Sequence, residues 1–255
     1  MSLIGVIPAR MESSRFPGKA LAEINGIPML GHVYHRSKMC ELLDDLYVAT
    51  CNKEIVDYVE SIGGKAVMTS DKHVRACDRA AEAMLIIEEI RGERVDILAM
   101  IQGDEPMVLP EMIDEALNPL IQNKDELVCN LIAEVKTKEE HDDPNVVKVV
   151  ADLDDYLLYY SRLPIPTCKE VPKEVKLLKQ VGLILFRRDF LLRFNELEQT
   201  PLEIVESIDM IRGLENGYKV KAFCTDKDMF SVDNIEDLKG VEVAMRGDKL
   251  VALYR

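Results

Sequence analysis

Nowhere does the chain carry an apolar run approaching the roughly 20 residues that a membrane-crossing helix needs. A basic region ahead of the first apolar stretch is missing as well. The N-terminus reads MSLIGVIPAR, which does not have the layout of a secretory signal and reads instead as a buried first strand. Cysteine pairs at metal spacing are absent. Cys40, Cys51, Cys77, Cys129, Cys168 and Cys224 form no CxxC, so a zinc site is not expected. Their spacing suits reduced, mostly buried thiols, and the expected compartment is the cytoplasm. The four histidines, His32, His35, His73 and His141, make no ligand pair at i, i+4. Positive charge is in deficit: 32 Lys and Arg against 46 Asp and Glu leave a net charge of −14. That excludes a broad nucleic-acid footprint. Such a protein grips an anionic substrate only through a local basic cluster or a bound metal. Neither GxxxxGK[ST] nor GxGxxG occurs, so the phosphate loop of P-loop proteins and the dinucleotide fingerprint are both excluded. Internal repeats, low-complexity tracts and flexible linkers are lacking too.

What is present is a chain of 255 residues, 47% hydrophobic and 31% charged, enough to bury a sizeable core. The first half alternates short apolar strands (Ser2–Pro8, Leu46–Thr50, Lys65–Thr69, Ile97–Ile101) with helical spacing (Pro28–Cys40, Lys53–Ile62, Arg79–Ile90). Gly63-Gly64 supplies a helix stop. This alternation predicts βαβ units and a mostly parallel sheet flanked by helices, with the ligand site beyond the carboxyl ends of the strands. The second half reads differently, with strands at Leu127–Val135, Val146–Asp152, Leu157–Arg162 and Val175–Phe186. Pro164, Pro166 and Pro172 mark an irregular excursion, and helices are expected over Pro201–Asn216 and Asp237–Met245, around a strand at Val220–Thr225. The expectation is one α/β domain over residues 1–255 with a smaller, more antiparallel lobe.

Four constellations carry chemistry. Pro8-Ala-Arg-Met-Glu-Ser-Ser-Arg-Phe-Pro-Gly-Lys19 puts Arg10, Arg15 and Lys19 in one loop after the first strand, with Ser13, Ser14 and Gly18 offering hydroxyls and amides. Guanidinium forks and an ammonium in that position suit a triphosphate; the same composition also suits a solvated basic loop. Gln102-Gly-Asp-Glu-Pro106 follows an apolar strand, so Asp104 projects where a Mg²⁺ ligand is needed, although Gly-Asp and Glu-Pro also form turns. Asp233, in Ser231-Val-Asp-Asn-Ile-Glu-Asp-Leu238, suits a second ligand or the N-cap of a helix. Arg79, Arg162 and Arg212 are individually ordinary salt-bridge residues and together suit a cleft for an anionic acceptor.

The order of these motifs, PAR-x-x-SSR-x-PGK, QGDEP, DPN-x-VKVV, LYYSR-x-PIP and VDNIEDL, resembles the 3-deoxy-manno-octulosonate (Kdo) cytidylyltransferase, or CMP-Kdo synthetase, family over nearly the whole chain. The resemblance implies a nucleotide-diphospho-sugar transferase fold, CTP as donor, Mg²⁺ as cofactor and a homodimer built through the lobe at about 127–190. It places Ala9, Arg10, Arg15 and Lys19 on the nucleotide and Asp104 and Asp233 on the metal, with Lys19 and both carboxylates as the catalytic set. Arg75, Arg79, Gln102, Arg162, Gln180, Ile184 and Met210 fall on its acceptor side. Several of these depart from the family pattern. His73-Val-Arg-Ala-Cys-Asp-Arg79 stands for His-Gln-Ser-Gly-Thr-Glu/Asp-Arg, and Cys51 for an Asp after Ala-Thr. Gln180 and Ile184 replace a His and a Tyr, and Met210 replaces a Gln. The donor half is kept and the acceptor half altered. The resemblance therefore implies Mg²⁺-dependent transfer of CMP from CTP to an acidic acceptor, Kdo or a related sugar acid, with release of pyrophosphate, and the departures from the family pattern predict an acceptor that differs from Kdo in size or hydroxyl pattern. The rivals are the same fold acting on another keto-sugar acid, a phosphonate or a sugar phosphate, and a non-catalytic nucleotide-binding protein.

Overall fold

A computed structural model of the chain describes residues 1–13, 15–167, 175–227 and 229–255. Ser14, Cys168 and Pro172 therefore lie outside the described residues. In chain order the strands and helices are β1 (Leu3–Pro8), β2 (Glu23–Ile24), β3 (Ile27–Pro28), α1 (Met29–Ser37), β4 (Asp45–Thr50), α2 (Lys53–Ser61), β5 (Ala66–Met68), α3 (Ala76–Arg91), β6 (Ile97–Ile101) and α4 (Pro110–Gln122). There follow β7 (Val128–Glu134), α5 (Lys138–Asp142), β8 (Lys148–Ala151), β9 (Leu157–Ser161), β10 (Leu178–Arg187), α6 (Arg188–Glu196), α7 (Pro201–Glu206), α8 (Met210–Glu215), β11 (Lys221–Thr225) and α9 (Ile235–Ala244). Two compact units result: Met1–Glu115 with Met229–Arg255, and Ala116–Asp228. The segment 127–190 expected as a lobe lies within the second. Among the described residues no helix is long and apolar enough to cross a membrane.

In the first unit β1 pairs in parallel with β4 and with β6, and β4 pairs in parallel with β5. Every residue of β1 and β6 is buried, as expected for parallel strands covered on both faces. Because the strands run in parallel, the loops after β1 and β6 leave the same edge. Gly103 lets them touch: a Cβ there would lie 3.0 Å from the Pro8 carbonyl oxygen.

The second unit is a mixed sheet. β11 runs parallel to β7, whereas the β7–β10, β10–β8 and β8–β9 pairs are antiparallel. The β7–β10 register shifts between Gln180 and Ile184. Asn130, fully buried on β7, meets the carbonyls displaced there, its Nδ2 lying 3.3 Å from the oxygens of both Val181 and Leu183. The helix expected over 201–216 is two helices. Ser207 adopts φ +56°, which ends α7, and α8 begins at Met210. The apolar spacing runs through this break, so periodicity alone joins what a left-handed residue separates.

Candidate active site

The loop after β1 folds back on itself. The Gly18 amide donates to the Met11 carbonyl at 2.8 Å, and Gly18 sits at φ +75°, a left-handed conformation that glycine adopts without strain. This return brings Lys19 under the β6 loop. Lys19 Nζ donates to Asp104 Oδ2 at 2.7 Å and to the Val232 carbonyl at 3.0 Å, and lies 3.8 Å from Asp233 Oδ1. Asp233 Oδ1 also accepts from Arg15 Nη2 at 2.7 Å. The backbone locks the same junction: the Val232 amide donates to the Asp104 carbonyl at 2.9 Å. Behind it, Val232 packs with Ile24, Met29, Val241 and Met245 in a small apolar cluster. Residues about 85 and 213 positions from Lys19 in the chain thus converge on one ammonium.

Asp233 does not cap α9. The capping box belongs to its neighbours: Asn234 Oδ1 accepts from the Asp237 amide at 2.9 Å, and Asp237 Oδ2 accepts from the Asn234 amide at 3.1 Å and the Asp233 amide at 2.9 Å. With α9 satisfied, the Asp233 carboxylate is left to face the cations. Its pKa is raised above the ordinary value because burial penalises the charged form. Lys19 and Arg15 oppose that shift, and the Asp104 and Asp237 carboxylates reinforce it. Among the described residues no group of three or more His, Cys, Asp or Glu side chains is placed to hold a metal ion. The donor set on offer is two carboxylates meeting at one point. That fits Mg²⁺, which is typically held by one or two carboxylates and completes its shell with substrate phosphates and water.

These groups line a cleft of ≈ 310 Å³ whose walls include Ala9, Arg10, Arg15, Lys19, Arg75, Arg79, Gln102, Asp104 and Asp233. Nine of the site residues expected from sequence therefore share one cavity. Glu12 also lines it and was not anticipated. Its pKa is lowered chiefly by a backbone hydrogen bond and by Asn52, with Arg10 and Arg79 adding attraction. Arg79 is buried, and its guanidinium donates to the Thr69 hydroxyl and to the Ser70 carbonyl at 3.2 Å. From the same helix Glu82 accepts from the Ser70 amide at 2.8 Å and pairs with His73. Arg79 and Glu82 thus pin the loop leading into α3, which forms a cleft wall. The signal for Glu82 was its position one helical turn beyond Arg79.

The remaining expected residues belong to the second unit. Arg162 Nε donates to the Glu206 carbonyl at 2.9 Å and its amide to the Glu206 carboxylate at 2.8 Å. Gln180 Nε2 donates to Asn130 Oδ1 at 2.9 Å. Ile184 and Met210 are buried apolar side chains. Arg212, grouped by sequence with the cleft cations, instead makes a buried bidentate pair with Glu203, at 2.8 and 2.6 Å. Lys148 was not singled out by its chemistry. It is fully buried, and its ammonium donates to the carbonyls of Asp143 at 2.6 Å, Val146 at 2.7 Å and Arg162 at 2.6 Å. A lone cation inside the run Val146–Val150 was the available signal.

A cytidylyltransferase family model matches residues 4–250. The 3-deoxy-manno-octulosonate cytidylyltransferase of Geotalea uraniireducens (strain Rf4) is 40% identical over 251 residues, covering 94% of this chain and 98% of the relative. The enzyme of the same name from Syntrophotalea carbinolica (strain DSM 2380 / NBRC 103641 / GraBd1) is 40% identical over 255 residues, with 97% and 100% covered. Among solved structures, a CMP:2-keto-3-deoxy-manno-octonic acid synthetase complexed with CTP superposes with a TM-score of 0.89 at 32% identity, covering 97% of this chain and 100% of that one.

Proposed function

The chain belongs to the cytidylyltransferase family, and from that premise we propose that it transfers CMP from CTP to Kdo or a closely related keto-sugar acid, releasing pyrophosphate with the help of Mg²⁺. The observation that carries this reading is the convergence of Lys19, Asp104 and Asp233 in one cleft beyond the carboxyl ends of β1 and β6. A module that only bound nucleotide would have no use for a half-buried carboxylate held against its own desolvation. The names and 40% identity of the relatives support Kdo.

In this mechanism an acceptor hydroxyl oxygen attacks the α-phosphorus of CTP in line. The bond from that phosphorus to the bridging oxygen breaks, pyrophosphate leaves, and the hydroxyl proton passes to solvent. Positioning and charge neutralisation supply most of the acceleration. Arg10, Arg15 and Lys19 offset charge on the departing phosphates, while Asp104 and Asp233 would hold the metal. Bound there, Mg²⁺ supplies positive charge to the phosphate oxygens. On the acceptor side the reading takes Arg75, Arg79 and Gln102 from the cleft wall; Arg162, Gln180, Ile184 and Met210, which the resemblance sets near the acceptor, belong to the second unit and keep the contacts described above. The exposed Leu158 and Leu163, inside segment 127–190, support a homodimer through that segment. The free thiols of Cys40, Cys51, Cys77, Cys129 and Cys224 support a cytoplasmic setting.

The resemblance that sets Gln180, Ile184 and Met210 near the acceptor favours one with fewer hydroxyls than Kdo: Ile184 and Met210 are buried apolar side chains with no hydrogen-bond donor to offer, and Gln180 Nε2 donates to Asn130. A site that leaves substrate hydroxyls unpaired binds them poorly. Pyrophosphate release from CTP and Mg²⁺ with a panel of Kdo, other keto-sugar acids, a phosphonate and a sugar phosphate separates these readings. Kdo as the best acceptor supports the main one. Turnover confined to a less hydroxylated acid supports the second, and no turnover with any acidic acceptor refutes both.

A further inference from the structure

Lys19 has more partners than a phosphate-binding lysine needs. An ammonium carries three protons. One goes to Asp104 Oδ2 at 2.7 Å, one to the Val232 carbonyl at 3.0 Å, and the remaining direction faces Asp233 Oδ1 at 3.8 Å. The side chain is only 17% exposed, so solvent screens these contacts weakly. The carboxylates that would hold a divalent cation are therefore already bridged by a monovalent one. A second cation approaching the pair meets Lys19 near both carboxylates and Arg15 on Asp233 Oδ1. A lysine stem is long and flexible, and its compact charge can change partners without moving the backbone.

We infer that Lys19 is an internal counter-cation for Asp104 and Asp233. It holds the pair against a divalent ion until a triphosphate draws the ammonium onto itself, so that cation and nucleotide bind as one unit. This rests on the reading of Asp104 and Asp233 as the metal carboxylates. Unlike a plain phosphate contact, such a lysine makes the nucleotide-free protein a poor cation binder. Its ammonium leaves the carboxylates as the triphosphate arrives, because the multiply charged phosphates become its stronger acceptors. Linkage is reciprocal: the factor by which nucleotide tightens the cation is the factor by which the cation tightens nucleotide. The lysine thereby disfavours a cation bound without its substrate and a nucleotide bound without its cation.

The test is Mn²⁺ binding to nucleotide-free protein, read as loss of the free-ion electron paramagnetic resonance signal. It compares wild type, Lys19→Met, Lys19→Arg and the double variant Lys19→Met with Asp104→Asn. Lys19→Met is expected to bind Mn²⁺ at least about fivefold more tightly than wild type, the low end of usual coupling factors. Lys19→Arg, which keeps the charge, should bind no better than wild type, and the double variant should lose the gain. Equal affinity in wild type and Lys19→Met, or no measurable binding by either, overturns the inference. A gain that survives Asp104→Asn places the cation elsewhere and overturns the inference together with the metal-site reading. Circular dichroism checks that each variant is folded, and Lys19→Gln replaces Lys19→Met if the latter is not. CTP turnover by the same wild-type preparation separates the two failures: turnover with no effect of Lys19 on Mn²⁺ sinks only this inference, while its absence sinks the proposed activity.

Discussion

Replacing Asp233 with Asn separates a chemical role from a helix-capping role. The structural cost should be small. The lost Arg15 pair involves a guanidinium that is 52% exposed, and pairs of that kind contribute about 0–1 kcal/mol. Lys19 keeps Asp104 and the Val232 carbonyl, and removing the charge of Asp233 relieves the burial that raises its pKa. The net change should stay within about 1 kcal/mol, or about 2–4 °C in melting temperature for a chain of this size. The catalytic cost should be large. Removing one preorganised charge-stabilising group typically costs about 10²–10³-fold in kcat. Asn234→Ala is the matched control. It removes the cap acceptor for the Asp237 amide and should cost about 1 kcal/mol of stability with turnover within a few-fold of wild type. Thermal unfolding by circular dichroism and pyrophosphate release from CTP measure the two axes. Near-normal turnover in Asp233→Asn, or a larger stability loss there than in Asn234→Ala, would mean that Asp233 serves the fold and not the chemistry.

Lys19→Ala should lower kcat more than it raises KM for CTP, with a loss of roughly 2–4 kcal/mol in transition-state stabilisation; a rise in KM alone would mean uniform binding. Lys148→Met should destabilise by about 1–3 kcal/mol in urea unfolding, because three partly buried carbonyls lose their charged donor together. The C-terminal segment predicts a pH dependence. His32 Nε2 faces the Ile24 carbonyl at 2.9 Å, so Nε2 carries the proton and Nδ1 accepts from the Tyr254 hydroxyl at 2.9 Å, which in turn accepts from Arg36 Nε at 3.1 Å. Burial holds His32 below its ordinary 6.5, so the unfolded chain takes up the proton first. The associated stability is full above about 6.5 and declines as pH falls through the lowered value. Melting temperatures between pH 7.5 and 5 should show this decline, and His32→Gln should reduce it, leaving the part due to His35, which burial also holds low.

The parallel half was legible because burial on both faces leaves unbroken apolar runs, as in β1 and β6, and because a basic loop directly after such a run has one place to go. The hairpin β2–β3 was not: four paired residues around Asn25-Gly26 give no periodicity to read. The helix α4 carries Pro119 in its interior, which reads as a breaker in sequence. For the site, residue type pointed to Arg15, Lys19, Asp104 and Asp233. The choice between cap and ligand for Asp233 depended on whether Asn234 and Asp237 satisfied each other, a matter of side-chain geometry that spacing leaves open. Arg212 illustrates the converse. Its partner Glu203 lies nine residues away across the Ser207 break, so a continuous helix would have placed the two on no shared face.

Under the proposed function, the cleft built by Lys19, Asp104 and Asp233 carries out metal-assisted cytidylyl transfer. Its most direct test is the steady-state release of pyrophosphate from CTP and Kdo at saturating Mg²⁺ by wild type and by Asp104→Asn. Wild type should turn over at the roughly 1–10³ s⁻¹ usual for enzymes, and a folded Asp104→Asn should show nothing above background. Turnover by Asp104→Asn near the wild-type rate would show that Asp104 holds no essential metal.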